Sequence, residues 1–175
     1  CGVFDGDSLS SFALAAWSQG IEEWKAIGFE ADPVNAARAR HRLSQYGLDS
    51  IPIYEEVIGS GSASECGHGI HNCRGEMLEM MGRTAALDEL LSPIEPSFVK
   101  MDIEGAELKA LHGMQNTICR CRPKLAVCCY HTTLQLLEIP LYLMSSLEDY
   151  EIFLRHHRPG SLWETVCYAL PRGGS

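Results

Sequence analysis

Apolar residues recur in two alternating patterns along this chain of 175 residues. Leu9, Phe12, Ala13, Ala16 and Trp17 fall at helical spacing, and Gly20 closes that stretch. The run WKAIGFE (24–30) predicts a buried strand. Pro33 opens a helix running to about Tyr46 and closed by Gly47, with Pro first and Gly last as helix ends prefer. IPIYEEVIG (51–59) predicts the next strand, and RTAALDELL (83–91) a short strand edge followed by a helical turn. SFVKMDIE (97–104) predicts a strand, GAELKALHGMQNTI (105–118) a helix and PKLAVCCYH (123–131) a strongly apolar strand. TTLQLLEIPLYLMSSL (132–147) predicts a helix kinked or broken at Pro140. YEIFLRHH (150–157) and LWETVCYAL (162–170) close the chain as two strands, and the short RPGS between them suits an antiparallel return.

Strands alternating with helices imply an α/β fold with a doubly wound, mostly parallel sheet, here in a single domain over 1–175 without internal repeats. In such sheets ligands bind outside the carboxyl ends of the strands. The residues at those ends are Glu30, Asp102, Glu104, His131, His156 and His157, all polar or ionisable. A sheet with only structural duties has no need of so many. Residues 59–75, GSGSASECGHGIHNCRG, have no period and read as one long loop.

The net charge of -9, from 14 basic and 23 acidic residues, argues against a basic face for nucleic acid. No apolar run approaches the length of a membrane span, so no membrane partner is expected. The eight cysteines do not have the spacing of a small secreted scaffold, and Cys128 and Cys129 sit inside an apolar run as small hydrophobes. A reducing, cytoplasmic setting follows as the expectation. Cys66, His68, His71 and Cys73 are zinc-ligand types, but C-x-H and H-x-C are tighter than common zinc modules, and no metal is expected there.

The opening stretch CGVFDGDSLSSF places Gly2 and Gly6 around a tight loop ahead of the first helix, which Ser8 is placed to cap. A glycine turn at a helix start lets a ligand approach the backbone closely. Glu30 ends the second strand, where an acid accepts hydrogen bonds from the two hydroxyls of a ribose. A dinucleotide fingerprint wants G-x-G-x-x-G for a pyrophosphate, whereas this loop is G-V-F-D-G-D. Asp5 and Asp7 repel a pyrophosphate and suit a cationic or zwitterionic ligand. Electrostatics therefore prefers S-adenosylmethionine to NAD.

FDGDSLSSF, GFEADP and VKMDIEGAELKALHGM, in this order and spacing, resemble the FkbM-type S-adenosylmethionine-dependent methyltransferases, as do EIPLYLMSSLEDYEIFLRHH and ETVCYALP. The resemblance implies a class I methyltransferase (Rossmann-like) sheet with its last strand antiparallel. It implies an O-methyltransferase acting on a hydroxyl of a sugar, glycan or small metabolite. Cofactor-binding roles are implied for Gly2, Phe4, Asp5, Gly6, Ser8, Glu30 and Ala31, and for Asp102 beside the methionine end of the cofactor. The first strand of such a sheet is missing or truncated here, because the chain starts at Cys1 where that strand should just have ended; the numbered chain is expected to begin inside the domain. A sheet left open in this way is under pressure to form a homodimer or borrow a strand.

Methyl transfer to an oxygen requires alignment of acceptor and donor and removal of a proton. The catalytic candidates are His131, Asp102 and Glu104. A histidine titrates near neutrality, so His131 is the expected base, Asp102 orients cofactor or substrate, and Glu104 is the reserve. Arg155, His156 and His157, followed by Arg158, form a basic cluster suited to an anionic small-molecule or glycan substrate. Two other readings stay open: a nicotinamide-dependent oxidoreductase, and a truncated or non-catalytic relative kept as a binding domain.

Overall fold

The computed structural model describes residues 1–61, the backbone of 70–71 and 77–78, and residues 84–160 and 163–173. The chain separates into two compact units, Cys1–Val57 and Ile58–Ser175. Among the described residues no helix is long and apolar enough to cross a membrane.

In the first unit a loop over residues 1–6 leads into α1 (Asp7–Ser18), followed by β1 (Gly28–Phe29), α2 (Pro33–Gln45) and β2 (Ile53–Tyr54). β1 and β2 pair in parallel, Gly28 opposite Ile53 and Phe29 opposite Tyr54. Asp32 caps α2 by accepting the Val34 N–H at 2.8 Å, and Pro33 takes the first helical position, which needs no donor. Ala13, Ala36, Ala39 and Leu43 bring the two helices onto a core with Val3, Leu48, Ile51 and Ile53. The strand expected over 24–30 is regular only at its end. Trp24 turns its ring toward Phe12 and Trp17, at 5.4 and 6.4 Å between centroids, so this part of the chain covers α1 instead of extending the ladder.

The second unit holds β3 (Ile58–Gly59), β4 (Ile70–His71), β5 (Met77–Leu78), β6 (Ala85–Ala86), α3 (Leu87–Leu90), β7 (Phe98–Met101), α4 (Glu107–His112), α5 (Gln115–Cys121), β8 (Lys124–Cys128), α6 (Gln135–Ser146), β9 (Tyr150–His156) and β10 (Thr165–Pro171). β7 and β8 are parallel, and the last strand, β10, runs antiparallel between β8 and β9, so the order is β7-β8-β10-β9. β3 pairs in parallel with β6, and β4 antiparallel with β5. The hydrogen-bonded strands thus form a mixed set of patches and not one continuous doubly wound sheet among the described residues. Met101, Leu111, Met114, Leu125, Val127, Ile139 and Leu143 fill the core between sheet and helices.

Three expected elements change shape. The strand over 51–59 splits, because Ile53–Tyr54 pairs with β1 and Ile58–Gly59 with β6. The helix over 105–118 breaks into α4 and α5 at Gly113, where a Cβ would lie 2.2 Å from the Gly59 carbonyl oxygen; α5 then starts afresh, with Asp88 accepting the N–H groups of Asn116 and Thr117 at 3.0 and 2.7 Å. α6 runs unbroken through Pro140, whose ring is buried on the core side, and it starts at Gln135 because Thr132 Oγ1 accepts the Gln135 N–H at 3.2 Å. Of the long loop over 59–75, residues 70–71 form β4; the Cys66–Cys73 cluster otherwise lies outside the described residues.

Candidate functional site

In the first unit the glycine loop is held in left-handed turns, with φ of 72° at Gly2, 53° at Phe4 and 85° at Gly6. Gly6 also lies against α2: a Cβ there would sit 3.2 Å from the Ala39 backbone. Glycine is required on both counts. Gly2 N–H donates to the Phe29 carbonyl at 2.9 Å, alongside β1. Glu30, at the end of β1, is nearly buried and tethers the loop: Oε2 accepts the Phe4 N–H at 2.8 Å and Oε1 the Asp32 N–H at 3.1 Å. Ala31 follows, half-buried.

Two expectations about this loop change. Ser8 does not cap α1; Gly6 occupies the capping position and Ser8 is already helical, its N–H directed to Asp7 Oδ1. Asp5 pairs with the Arg42 guanidinium from α2, so its charge is met within the unit and not left for a ligand.

In the second unit Asp102, Glu104 and His131 do come together, and the structure adds Glu107. Asp102 follows β7 and is surrounded by donors: Tyr130 OH on Oδ1 at 2.9 Å, Lys100 Nζ on Oδ2 at 3.1 Å, and His131 Nε2 at 3.3 Å from Oδ1. Glu104 Oε2 lies 3.8 Å from the same His131 nitrogen and is the most exposed carboxylate of the group. On the other side of the ring, Nδ1 is 2.9 Å from Glu107 Oε1, off the line of an aligned hydrogen bond, so the attraction there is chiefly ionic. Glu107 is fully buried, and it also accepts the Ile103 N–H at 2.8 Å and Gln135 Nε2 at 2.8 Å.

Burial disfavours a charged His131, but the hydrogen bonds and charges of Asp102 and Glu107 outweigh it and hold the ring up at about 10. Burial likewise raises Asp102, yet His131, Lys100 and Tyr130 together keep it well below the usual carboxylate range. Burial and then the Asp102 charge push the Tyr130 phenol far up. Near neutral pH His131 is therefore an imidazolium with a carboxylate at each nitrogen, a hydrogen-bond donor with no lone pair for a substrate proton. This runs against the base role expected from its ordinary titration range.

Asp102, Glu107 and His131 present metal-ligand atoms within 4.8 Å of one another. Asp102 of this trio also pairs with the Lys100 ammonium at 3.1 Å. Burial pushes the nearby thiols up, Cys129 to about 11 and Cys167 to about 12.

The basic cluster is not one patch. Arg155 and His156 lie on alternate faces of β9, an edge strand. His156 is tied into the hairpin by Thr165 Oγ1 at 2.9 Å and the Arg158 carbonyl at 2.7 Å, and His157 Nε2 meets Tyr168 OH at 2.9 Å.

Glu107 had a legible signal. With Ala110, Leu111 and Met114 it falls on the buried stripe of the 105–118 pattern, where a charge needs a buried partner. Gln135 sits likewise on the buried stripe of α6 with Ile139 and Leu143.

A parallel pair extended by a reversed final strand, with helices packed on it and acids at the strand ends, makes this an α/β protein with a mixed sheet. The chain belongs to the FkbM methyltransferase family: the family described as "Methyltransferase FkbM domain" matches residues 1–157. It is similar to the methyltransferase FkbM from Methylobacillus flagellatus KT, at 28% identity and a TM-score of 0.74, over 97% of this chain and 42% of that one. The chain thus spans less than half the length of that relative. A more distant likeness in fold is to cofactor-bound Rv0187 from MTB, at 16% identity and a TM-score of 0.50, over 99% of this chain and 71% of that one. No curated protein is a significant match to the sequence.

Proposed function

We propose that this methyltransferase chain takes S-adenosylmethionine and methylates a hydroxyl of a sugar, glycan or other small metabolite. The observation that carries the cofactor assignment is Glu30. A carboxylate offers about four acceptor positions. Two are taken by the Phe4 and Asp32 N–H groups, which leaves room for two ribose hydroxyls. Gly2, Phe4, Gly6 and Ala31 fit as the backbone wall of that subsite, with Asp5 and Ser8 in support. S-adenosylmethionine would supply an already activated methyl group on a sulfonium.

The protein's own task is then alignment and proton removal. We assign Asp102, fixed by Lys100, Tyr130 and His131, an orienting role at the reacting groups. The protonated ring of His131 supports a donor role there. Glu104, the cluster's carboxylate most open to solvent, is the group assigned to accept the hydroxyl proton. The basic cluster contributes Arg155 and His157 toward an anionic substituent, since both ring nitrogens of His156 are engaged within the hairpin whereas His157 is held through Nε2 alone.

Titration calorimetry tests the cofactor assignment. S-adenosylmethionine and S-adenosylhomocysteine should bind and NAD should not. Binding of NAD in preference to both would overturn the reading in favour of an oxidoreductase, and binding of none would leave a non-catalytic relative.

A further inference from the structure

Glu107 has no part in the functional reading so far, yet it is the most deeply buried charge in the chain's described residues that faces the site. Its carboxylate faces donors only: Ile103 N–H, Gln135 Nε2 and His131 Nδ1. Gln135 cannot be turned round, because its Nε2 also donates to the Gly105 carbonyl at 2.9 Å, and a flip would set its oxygen against two acceptors. The orientation leaves Gln135 Oε1 buried without a donor among the described residues, an unsatisfied atom tolerated for the grip on Glu107.

His131 is thus held from both edges. Nδ1 faces Glu107, and Nε2 faces Asp102 at 3.3 Å and Glu104 at 3.8 Å. Nδ1 meets Glu107 through charge and not through an aligned hydrogen bond, and with further carboxylates at Nε2 the ring is flanked by negative charge at both edges, which favours its doubly protonated form. Lys100 pairs with Asp102, Tyr130 lies tilted against the ring at 4.3 Å between centroids, Cys128 adjoins Asp102, and Gln135 is uncharged.

We propose that Glu107 is the positioning residue of this site: its buried carboxylate locks the His131 ring by the Nδ1 edge, so that Nε2–H is delivered to the carboxylates of Asp102 and Glu104. Glu107 acts through His131 and need not touch cofactor or acceptor. The proposal rests on the functional reading only in taking Asp102 and Glu104 as the reacting end. It is tested on ligand-free protein, so its failure is distinct from a failure to bind S-adenosylhomocysteine.

The experiment is nitrogen-15 NMR of histidine-labelled protein across pH. Wild type should show both His131 ring nitrogens protonated at pH 8, with a midpoint near 10. Glu107→Gln, which keeps the shape and removes the charge, should lower that midpoint by at least about one pH unit. Glu107→Asp should restore part of the shift. Gln135→Ala removes packing and a hydrogen bond but no charge, so it should lower stability without lowering the midpoint. A wild-type midpoint near 6.5, or a Glu107→Gln midpoint equal to wild type, would overturn the proposal. Where Glu107→Gln fails to fold, Glu107→Asp, whose shorter side chain draws the carboxylate back from Nδ1, should still lower the midpoint, and a midpoint equal to wild type there would overturn the proposal. Loss of the titration on adding Mg²⁺ or Zn²⁺ would also overturn it, because a metal and not a proton would then join the three side chains.

Discussion

The charge on His131 has consequences that single substitutions read directly. Its folded value, about 10, lies above its ordinary 6.5, so the folded chain holds one more proton than the unfolded chain between those limits. The stabilisation it brings is complete below pH 6.5 and is lost as pH rises through about 10. Asp102 is shifted the other way; its contribution is present above the ordinary 3.8 and is lost as pH falls through its lowered value. Urea unfolding at a series of pH values should show stability falling between pH 6.5 and about 8.5, below the range in which the buried thiols add their own slope, and that fall should be absent in His131→Asn. Equal slopes in the two proteins would mean the ring is neutral in the folded state. Catalysis should separate the two assigned partners. Once a hydroxyl acceptor is found, Glu104→Gln should slow turnover by about 10²–10⁴-fold with little change in cofactor affinity, the usual cost of losing a general base. A full-rate variant would leave the proton to solvent. In the first unit, Glu30→Ala should weaken S-adenosylhomocysteine binding by about 1–3 kcal/mol, since hydroxyls and the Phe4 N–H lose a charged acceptor.

Among the elements, the glycines between helices and strands set what the packing tolerates. Gly47 closes α2 with a φ of 68° and nothing within 4 Å of a new Cβ, so Gly47→Ala brings backbone strain alone, about 1–2 kcal/mol. Gly6→Ala adds to similar strain a 3.2 Å approach to the Ala39 backbone. Gly113→Ala has no left-handed backbone to strain but drives a methyl to 2.2 Å from the Gly59 carbonyl, so α4 or β3 must move; its cost falls at or above the top of the about 1–3 kcal/mol typical of overpacking. The expected order of destabilisation in denaturant unfolding is Gly113→Ala, then Gly6→Ala, then Gly47→Ala. Gly113→Ala ranking last would mean the α4–α5 break does not depend on that close approach.

For the whole molecule, a ligand that binds only the folded chain stabilises it by mass action. At about 100 times its dissociation constant S-adenosylhomocysteine should add about 2.7 kcal/mol, visible as a rise of several degrees in Tm, while NAD at the same concentration leaves Tm unchanged. A matching rise with NAD would contradict the electrostatic preference argued from the loop. Part of that preference has already moved, because Asp5 is paired with Arg42 and the selection against a pyrophosphate then falls mainly on Asp7 and Glu30.

The sequence by itself determined what depends on neighbours along the chain. The helices over 7–18 and 33–45, the apolar strand before His131 and the reversed last strand are legible because periodicity, Pro–Gly punctuation and a short turn act within a few residues. The ionisable strand ends are legible for the same reason, and so is the family, whose motif KMDIEGAE already contains Glu107. Tertiary structure alone decided which charges meet. Arg42 reaches Asp5 across 37 positions, and Gln135 reaches Glu107 across 28. It also decided that 51–59 is two strands and 105–118 two helices, since each break answers a partner remote in sequence. His131 reads as a base in the sequence because its ordinary titration range is a property of the isolated side chain. It is a cation in the folded protein because its proton is held by the field of Asp102 and Glu107, and that field exists only once the chain has brought them to either side of the ring.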